Sequence, residues 1–565
     1  MLPSPPLSFP GTNTGPRANG GFLTAFVATN LDKDVVNVKA DTTFGSRAVV
    51  RGGPRPGAAQ GTTPRSRLAA SRGKLAELVG LDLRSLAAFR IGLGAILLLD
   101  LVGRAGDLVA HYTDHGVLPR SAITNSWKLS LHMLDGTADF QGALFVVAGL
   151  AALALLVGWH TRLATGASWF LLLSLHARNP MVLQGGDCLL RLLLFWGMFL
   201  PLGARASADR LLRRGGGPPG NRVASAGAAA LLLQVCFVYW FAAALKSDPA
   251  WRSEGTAVYY ALSLDQFATP LGKYLLGFPG LLRGLTFATL GLEVFGPALL
   301  FVPLRNGPVR TAVVTGFLLF HLAGLGLCLE LGLFPWVCAV AWSALLPGWF
   351  WDRVAGRIPL ARRIANSLVV PPGCAPAAKS GGPTPRLANA LAVAFLVYVF
   401  LWNVRTTDFP RWSKVLPPRS DFIAATFGLG QTWDMFAPYP LKDSGWYVVQ
   451  GSLRDGSRVD LVRDGAPVNW DKPALVSATF KNDRWRKYLI NLWAKANVAH
   501  RPLYARHLLG EWNSWNSGGR ELECVEVYFM LERTRPDYQA AAPQRLLLWQ
   551  ERGADLDPLV VGTGP

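Results

Sequence analysis

About nine apolar stretches, each near membrane-spanning length and separated by arginine-bearing loops, decide most of what this chain can become. They cover residues 86–102, 142–159, 163–176, 188–202, 224–245, 282–304, 311–327, 331–346 and 387–404. In lipid a single apolar segment must satisfy its own backbone hydrogen bonds, which selects the helix. The expectation is an all-α polytopic transmembrane helical bundle of about nine spans. Two runs are short for a full crossing, so tilt or a re-entrant piece near 178–187 belongs to the same expectation. Composition agrees: 51% of the 565 residues are apolar and 16% charged, against about a quarter charged in soluble domains.

The formal net charge of +20 raises the question of nucleic acid. The basic residues, however, cluster between apolar runs rather than on one face. Arg65, Arg67, Arg72, Lys74 and Arg84 precede the first run. Arg205, Arg210, Arg213, Arg214 and Arg222 lie between the fourth and fifth. Arg353, Arg357, Arg362, Arg363, Lys379 and Arg386 lie before the last. With nine crossings and a cytoplasmic N-terminus, all three clusters fall on the cytoplasmic side, as positive-inside retention requires. The partner implied is the lipid bilayer of the inner membrane, with no nucleic acid. Loops 111–140 and 246–280, and everything after residue 404, then face outward. Five cysteines (Cys188, Cys236, Cys328, Cys338, Cys374) lie in or beside the runs and Cys524 stands alone. No CxxC occurs, so neither a zinc site nor a disulfide framework is indicated.

The organisation reads as a disordered or over-long tail (1–75), a transmembrane domain (80–350), a basic cytoplasmic linker (351–386), a last span (387–404), a small extracytoplasmic α+β domain (405–540) and a tail (541–565). Within the outer domain 445–453 alternates like a strand, and Asp455-Gly456 turns it into 458–462. Residues 484–506 have helical spacing and 521–531 alternates again. Trp433, Phe436, Trp446 and Trp470 are expected in that domain's core.

Ionisable groups inside the runs are the candidates for function. Arg90 and Asp100 share the first run but lie roughly 80° apart around the helix and about 15 Å along it, so each needs a partner elsewhere. They either glue helices or line a cavity. Asp187 and Arg191, four apart with the acid first, suit an intrahelical pair. Glu293 and His321 read as lone ionisable groups. His111-Tyr-Thr-Asp114-His115 has metal-like spacing, but Gly116 and Pro119 follow, no helix gives the ligands one face, and no metal is expected. Lys246 ends a very apolar run, with Tyr239, Trp240 and Phe241 before it and Trp251 after. Desolvation disfavours an ammonium ion and so can make a lysine a general base. A pairing with Asp248 would oppose that, and a snorkelling lysine at a helix end is the plainer alternative.

Several motifs in order carry a resemblance: Tyr112-Thr-Asp-His-Gly-Val-Leu-Pro-Arg120, Ser130-Leu-His132, Gly158-Trp-His-Thr-Arg162, Ser174-Leu-His-Ala-Arg-Asn-Pro180 and Gly185-Gly-Asp-Cys-Leu-Leu-Arg191. Over about 80–350 the chain resembles the HTTM domain, the membrane module shared with vitamin K-dependent gamma-carboxylase. Gln431-Thr-Trp-Asp-Met-Phe-Ala-Pro438 is similar to the segment after the last span of bacterial HTTM proteins. The resemblance implies a lipid quinol, vitamin K hydroquinone or another, oxygenated in an epoxidase- or carboxylase-like reaction, with Lys246 as the base. It puts Asp187 where the carboxylases carry a functional histidine. Arg90, Arg191, Trp240, Trp251 and His321 become the candidate substrate-binding residues. A protein substrate or partner would meet the outer face. The alternative is a non-catalytic membrane protein binding lipid, quinone or a partner protein. A transporter would show inverted repeats, and the sequence has no internal symmetry.

Overall fold

The computed structural model describes residues 78–123, 130–212, 220–354, 357, 386–407, 414–536 and 541–553. The N-terminal tail expected over 1–75 and most of the 351–386 linker lie outside the described residues.

Every one of the apolar runs is helical. In chain order they form α1 (Leu83–Ala105), α2 (Ala138–Val157), α3 (Thr161–Arg178), α4 (Gly185–Gly197), α5 (Ala226–Leu245), α6 (Pro279–Leu299), α7 (Asn306–Leu319), α8 (Phe334–Ser343) and α9 (Arg386–Thr406). Their starts carry chemistry suited to orphaned N–H groups: Asp82 accepts from Arg84 N at 2.8 Å, Ser225 accepts from Ala228 N at 3.2 Å, and Gln184 with Asp187 closes a capping box. A π-helical turn, Phe320–Leu325, succeeds α7 and leads into a last helical turn ending at Cys328. By length and composition, five helices can cross a membrane: α1, α2, α5, α7 with its continuation to Cys328, and α9. The nine spans read from the sequence are not reached on that criterion: α4 and α8 have 13 and 10 residues, and α3 and α6, though 18 and 21 residues long, are not apolar enough. Direction relates the rest to these five. The starts of α1 and α5 adjoin through the Leu81↔Val223 pairing, and Asn389 near the start of α9 accepts from Ala226 N. The end of α1 and the start of α4 meet at the opposite side, beneath the C-terminal domain.

The helices share one large apolar core containing Phe89, Leu193, Trp196, Phe237, Phe317 and Trp342. Phe317 of α7 and Trp342 of α8 stack with centroids 3.9 Å apart. Gly94 explains the tight α1–α2 approach, because a Cβ there would lie 2.7 Å from the Leu156 backbone.

After α9 the chain turns back into the bundle. Helix α10 (Asp421–Phe427) starts level with the end of α9, where Arg405 and Asp421 pair at 2.5 Å, and its last residue packs on Phe395 halfway along α9. That is a return of about 16 Å at helical rise. The extended segment beyond α10 is inside the bundle core, with Leu429, Gln431 and Trp433 buried. A segment that folds back into the bundle therefore exists at 421–433, in addition to the 3-10 turn Pro180–Val182 between α3 and α4. It also removes Trp433 from the expected domain core: Trp433 packs among the bundle helices, and Phe436 joins the cluster around Trp251.

The C-terminal domain is α+β. Its sheet contains β1 (Asp443–Leu453), β2 (Arg458–Asp460), β3 (Ala466–Pro467), β4 (Leu522–Arg533) and β5 (Gln544–Arg552), antiparallel in the order β3-β2-β1-β4-β5. Strand β5 extends the sheet past residue 540, so part of the expected tail is an edge strand. One face of β1 puts Trp446 and Val448 against Val476 and Met530. The other puts Val449 against α11 (Asp483–Trp493) and α12 (Arg501–Trp515). Val117, Leu118, Met181 and Val182 join this second cluster. The domain therefore completes its core with loops of the helical bundle and is seated on it.

Candidate functional site

Polar groups gather at four places in the bundle. The first is at the end of α5, where the helix presents Lys246 as its C-cap residue. Lys246 is 2% exposed and turns inward, so snorkelling is excluded. Its Nζ donates to Glu293 Oε1 at 2.9 Å and Oε2 at 2.8 Å, and the Trp251 ring lies 5.1 Å away. Glu293 is thus no lone group. Asp248 does not pair with the lysine; it caps the next helical turn through Ala250 N. Trp240 Nε1 donates to Val294 O, beside Glu293, at 3.1 Å, and Trp251 Nε1 donates to Phe436 O of the re-entrant segment at 2.8 Å. Lys246 and Trp251 are brought together, Trp240 reaches them through Val294 beside Glu293, and Glu293, read as a lone group, is the partner of Lys246. Two ionisable groups 47 residues apart on different helices leave no local signal.

His321 sits on the π-helical turn, a distortion that often marks functional positions. Its Nε2 meets Tyr239 Oη at 2.6 Å, and Tyr239 Oη also receives Trp342 Nε1 at 2.7 Å. The Nδ1 is buried without a partner. Tyr239 and Trp240 are consecutive, so one turn of α5 reaches both the His321 chain and the Lys246 neighbourhood.

The third place is a buried cluster of four charges. Arg104 Nε holds Asp100 at 2.8 Å and its Nη2 holds Asp187 at 2.6 Å; Arg484 from α11 reaches Asp187 at 2.6 Å and Asp100 at 2.5 Å. Tyr112 accepts from Arg104 at 2.6 Å, and His176 Nε2 lies 3.6 Å from Asp187. Asp187 therefore does not pair with Arg191. The capping-box geometry turns its carboxylate back over the start of α4 toward Gln184 N, away from the next turn. Two arginines and two aspartates cancel, which is what burial of charge requires.

Arg191 serves the re-entrant segment instead. Its Nε donates to Gly428 O at 2.7 Å and its Nη2 to Gly430 O at 3.1 Å, while Trp402 Nε1 donates to Gln431 O at 2.9 Å. Irregular backbone is tolerated at membrane depth where its polar groups find partners within the protein. Gly428 is required there: its φ is +63°, and a Cβ would lie 2.6 Å from Arg191 Cδ. Gln431 exchanges hydrogen bonds with Gln234 and accepts from Trp433 Nε1. Arg90 lies at the other end of the bundle, donating to Leu155 O at 2.7 Å and Leu156 O at 2.6 Å, and also to Ala206 O. It closes the C-terminal carbonyls of α2 and does not share a space with Lys246.

A cavity of about 300 Å³ opens where the α7–α8 turn meets the C-terminal domain, lined by Leu329, Glu330, Leu331, Trp336, Asp483 and Arg486 among others. Lys246 does not line it. Leu329 and Leu331, however, also belong to the apolar cluster around Trp251. Among the described residues no three His, Cys, Asp or Glu side chains converge as metal ligands. His111 instead packs on Trp485 at 4.4 Å, and Asp114 binds Arg120 at 2.7 Å.

This bundle of capped apolar helices carries the ordered motifs of one known membrane module. Residues 80–348 match the HTTM domain family. No curated protein and no solved structure matches the chain. The HTTM domain takes in α1–α8 with Lys246, Glu293, His321, Asp187 and Arg191. Helix α9, the re-entrant segment and Arg484 lie beyond it and supply partners to the second half of that set. Sequence reading singled out none of Arg104, Arg484, Tyr239 or Glu330 as site residues. An arginine of a basic helix meeting two intramembrane aspartates was the available signal for Arg484.

Proposed function

We propose that the protein is a multi-pass inner-membrane enzyme of lipid-quinol chemistry, spanning about nine times, with its N-terminus cytoplasmic and its C-terminal domain outside. The proton-handling unit is the Lys246–Glu293 pair. The observation that carries this reading is the setting of Lys246: an amine closed off from water, held by one carboxylate and faced by the Trp251 ring. Ionisable pairs in membrane segments are expensive to keep and mark functional sites by default.

The chemistry follows from the 2.8 Å contact. Moving one proton from Nζ to a Glu293 oxygen would convert two buried charges into two neutral groups at this contact. The free amine then accepts a hydroxyl proton, and the ammonium so formed stands beside Glu293, now a neutral acid able to pass its own proton on. A bound lipid quinol supplies the reducing electrons for reaction with oxygen. Its fit rests on the donor set, one amine and one carboxyl beside the Trp251 ring. The resemblance to vitamin K-dependent gamma-carboxylase supports the same assignment, with vitamin K hydroquinone the first quinol to test and carboxylation a separate question.

One observation favours a second reading. Both Glu293 oxygens bind Nζ, and Lys246 does not line the 300 Å³ cavity. A pair closed in this way also serves as a pure helix clamp, in a non-catalytic membrane protein that binds lipid, quinone or a partner protein. Epoxide formation from vitamin K hydroquinone in membranes carrying the wild type or Lys246→Ala separates the two. Epoxide with the wild type and none with the variant supports the enzyme. Inserted wild-type protein that yields no more product than empty membranes, with vitamin K and with other lipid quinols, removes it.

A further inference from the structure

The cavity beneath the C-terminal domain has a chemistry of its own, independent of the quinol reading. Its walls divide by origin. Leu331, Pro335 and Trp336 come from the α7–α8 turn and the start of α8, while Asp483 and Arg486 come from the first two turns of α11. Glu330 sits between them and accepts from Arg486 Nη1 at 2.9 Å. The Arg486 side chain is 6% exposed and Glu330 is 39% exposed. The floor thus offers one buried guanidinium and two carboxylates; Asp483 also accepts from Gln184 Nε2 at 3.1 Å and lies 3.9 Å from Arg484 Nε, but Arg484 is shared with Asp100 and Asp187, so acceptors outnumber cations. Asp483 reaches it past Gly332, whose φ is +59° and whose missing Cβ would stand 2.4 Å from Asp483 Oδ2.

The mouth is apolar. Trp336, a lining residue, is 58% exposed, and Leu327, next in the chain to the lining Gly326, is 56% exposed. A tryptophan at such a boundary suits the interfacial layer of a bilayer. A space of about 300 Å³ holds a compact polar head but not two acyl chains.

We propose that this cavity binds the head group of an aminophospholipid. The primary ammonium donates to Asp483 and Glu330, the phosphodiester meets the outer edge of Arg486, and the acyl chains leave past Trp336 and Leu327. The excess of carboxylates makes the ammonium the recognised feature. A trimethylated ammonium has no N–H to give, and a glycerol head has no cation.

Native mass spectrometry of the full-length protein, exchanged into equal mixtures of phosphatidylethanolamine, phosphatidylcholine and phosphatidylglycerol, tests the site. Retention of phosphatidylethanolamine is expected to exceed that of the other two by about tenfold, the scale of one charge-assisted contact. Asp483→Asn removes the preference. Glu330→Gln, which keeps a hydrogen-bond acceptor for Arg486, lowers it without disturbing α11 and carries the test should Asp483→Asn loosen the domain. Equal retention of the three lipids, or an unchanged preference in both variants, overturns the proposal. Binding of soluble glycerophosphoethanolamine as tight as that of the lipid overturns the membrane source.

Discussion

Replacing Arg484 by methionine should detach the C-terminal domain from the bundle. In the wild type Arg104 and Arg484 neutralise Asp100 and Asp187, all four with side chains at most 5% exposed. Methionine fills similar volume but leaves two carboxylates to one guanidinium, an uncompensated buried charge. Removing one partner of a buried pair costs about 3–5 kcal/mol, a large share of the stability of a domain. Arg484 is the member contributed by the domain, so the loss falls on its seating. Limited proteolysis of purified protein in nanodiscs, followed with time at several temperatures, reads it: cleavage near 414–420 and 434–442 should accelerate by more than about a hundredfold at roughly 3 kcal/mol. The decisive control is Arg484→Met combined with Asp187→Asn, which restores neutrality with Arg104 and Asp100. The double variant should recover at least half of the lost stability, a coupling of the size neighbouring charges show. A single variant as resistant as the wild type, or a double variant worse than both singles, would refute the charge-balance reasoning.

Arg191→Met should free the re-entrant segment by leaving the Gly428 and Gly430 carbonyls without their donor, at about 1.5–3 kcal/mol per contact; a cysteine placed at Leu429, fully buried in the parent, should then react with a membrane-impermeant maleimide. Gly428→Val should do the same through backbone strain and its clash with Arg191, read by the same labelling. Acid should weaken the domain's seating. Burial holds His111, packed on Trp485 of the domain, down at about 3, below the ordinary 6.5, so it contributes fully above pH 6.5 and loses that contribution as pH falls toward the folded value; His132, held at about 4, acts the same way within the bundle through Ser174. For His111 this is about 2 kcal/mol at pH 5, and His111→Phe should flatten that slope in a stability measurement between pH 7 and 5.

Helix positions were legible because apolar runs of this length permit few other structures, and each of the expected runs is a helix. Partner choice was not. Asp187 looks paired with Arg191 at helical spacing, yet it meets Arg104 and Arg484, 83 and 297 residues away, because a capping role turns its carboxylate. Lys246 and its aromatic neighbours are visible as a cluster in sequence, while Glu293 becomes a partner through packing of α5 on α6. The re-entrant segment is hidden for a physical reason. Gly428, Gly430 and Gln431 form no apolar run and fall in the expected outer domain, and only donors from Arg191 and Trp402 make that backbone tolerable inside the bundle. Strand β5 reads as a tail since its consecutive leucines, Leu546–Leu548, hide the alternation that an edge strand usually displays.

The most direct test of the account compares quinol oxidation by wild type, Lys246→Met and the double variant Lys246→Met/Glu293→Gln, each normalised to inserted, folded protein. The double variant removes both buried charges and should regain the stability that the single variant loses. If the pair handles protons, the double variant stays inactive though well folded. Quinol oxidation at the wild-type rate in the double variant would contradict the account and leave Lys246 and Glu293 as a helix clamp.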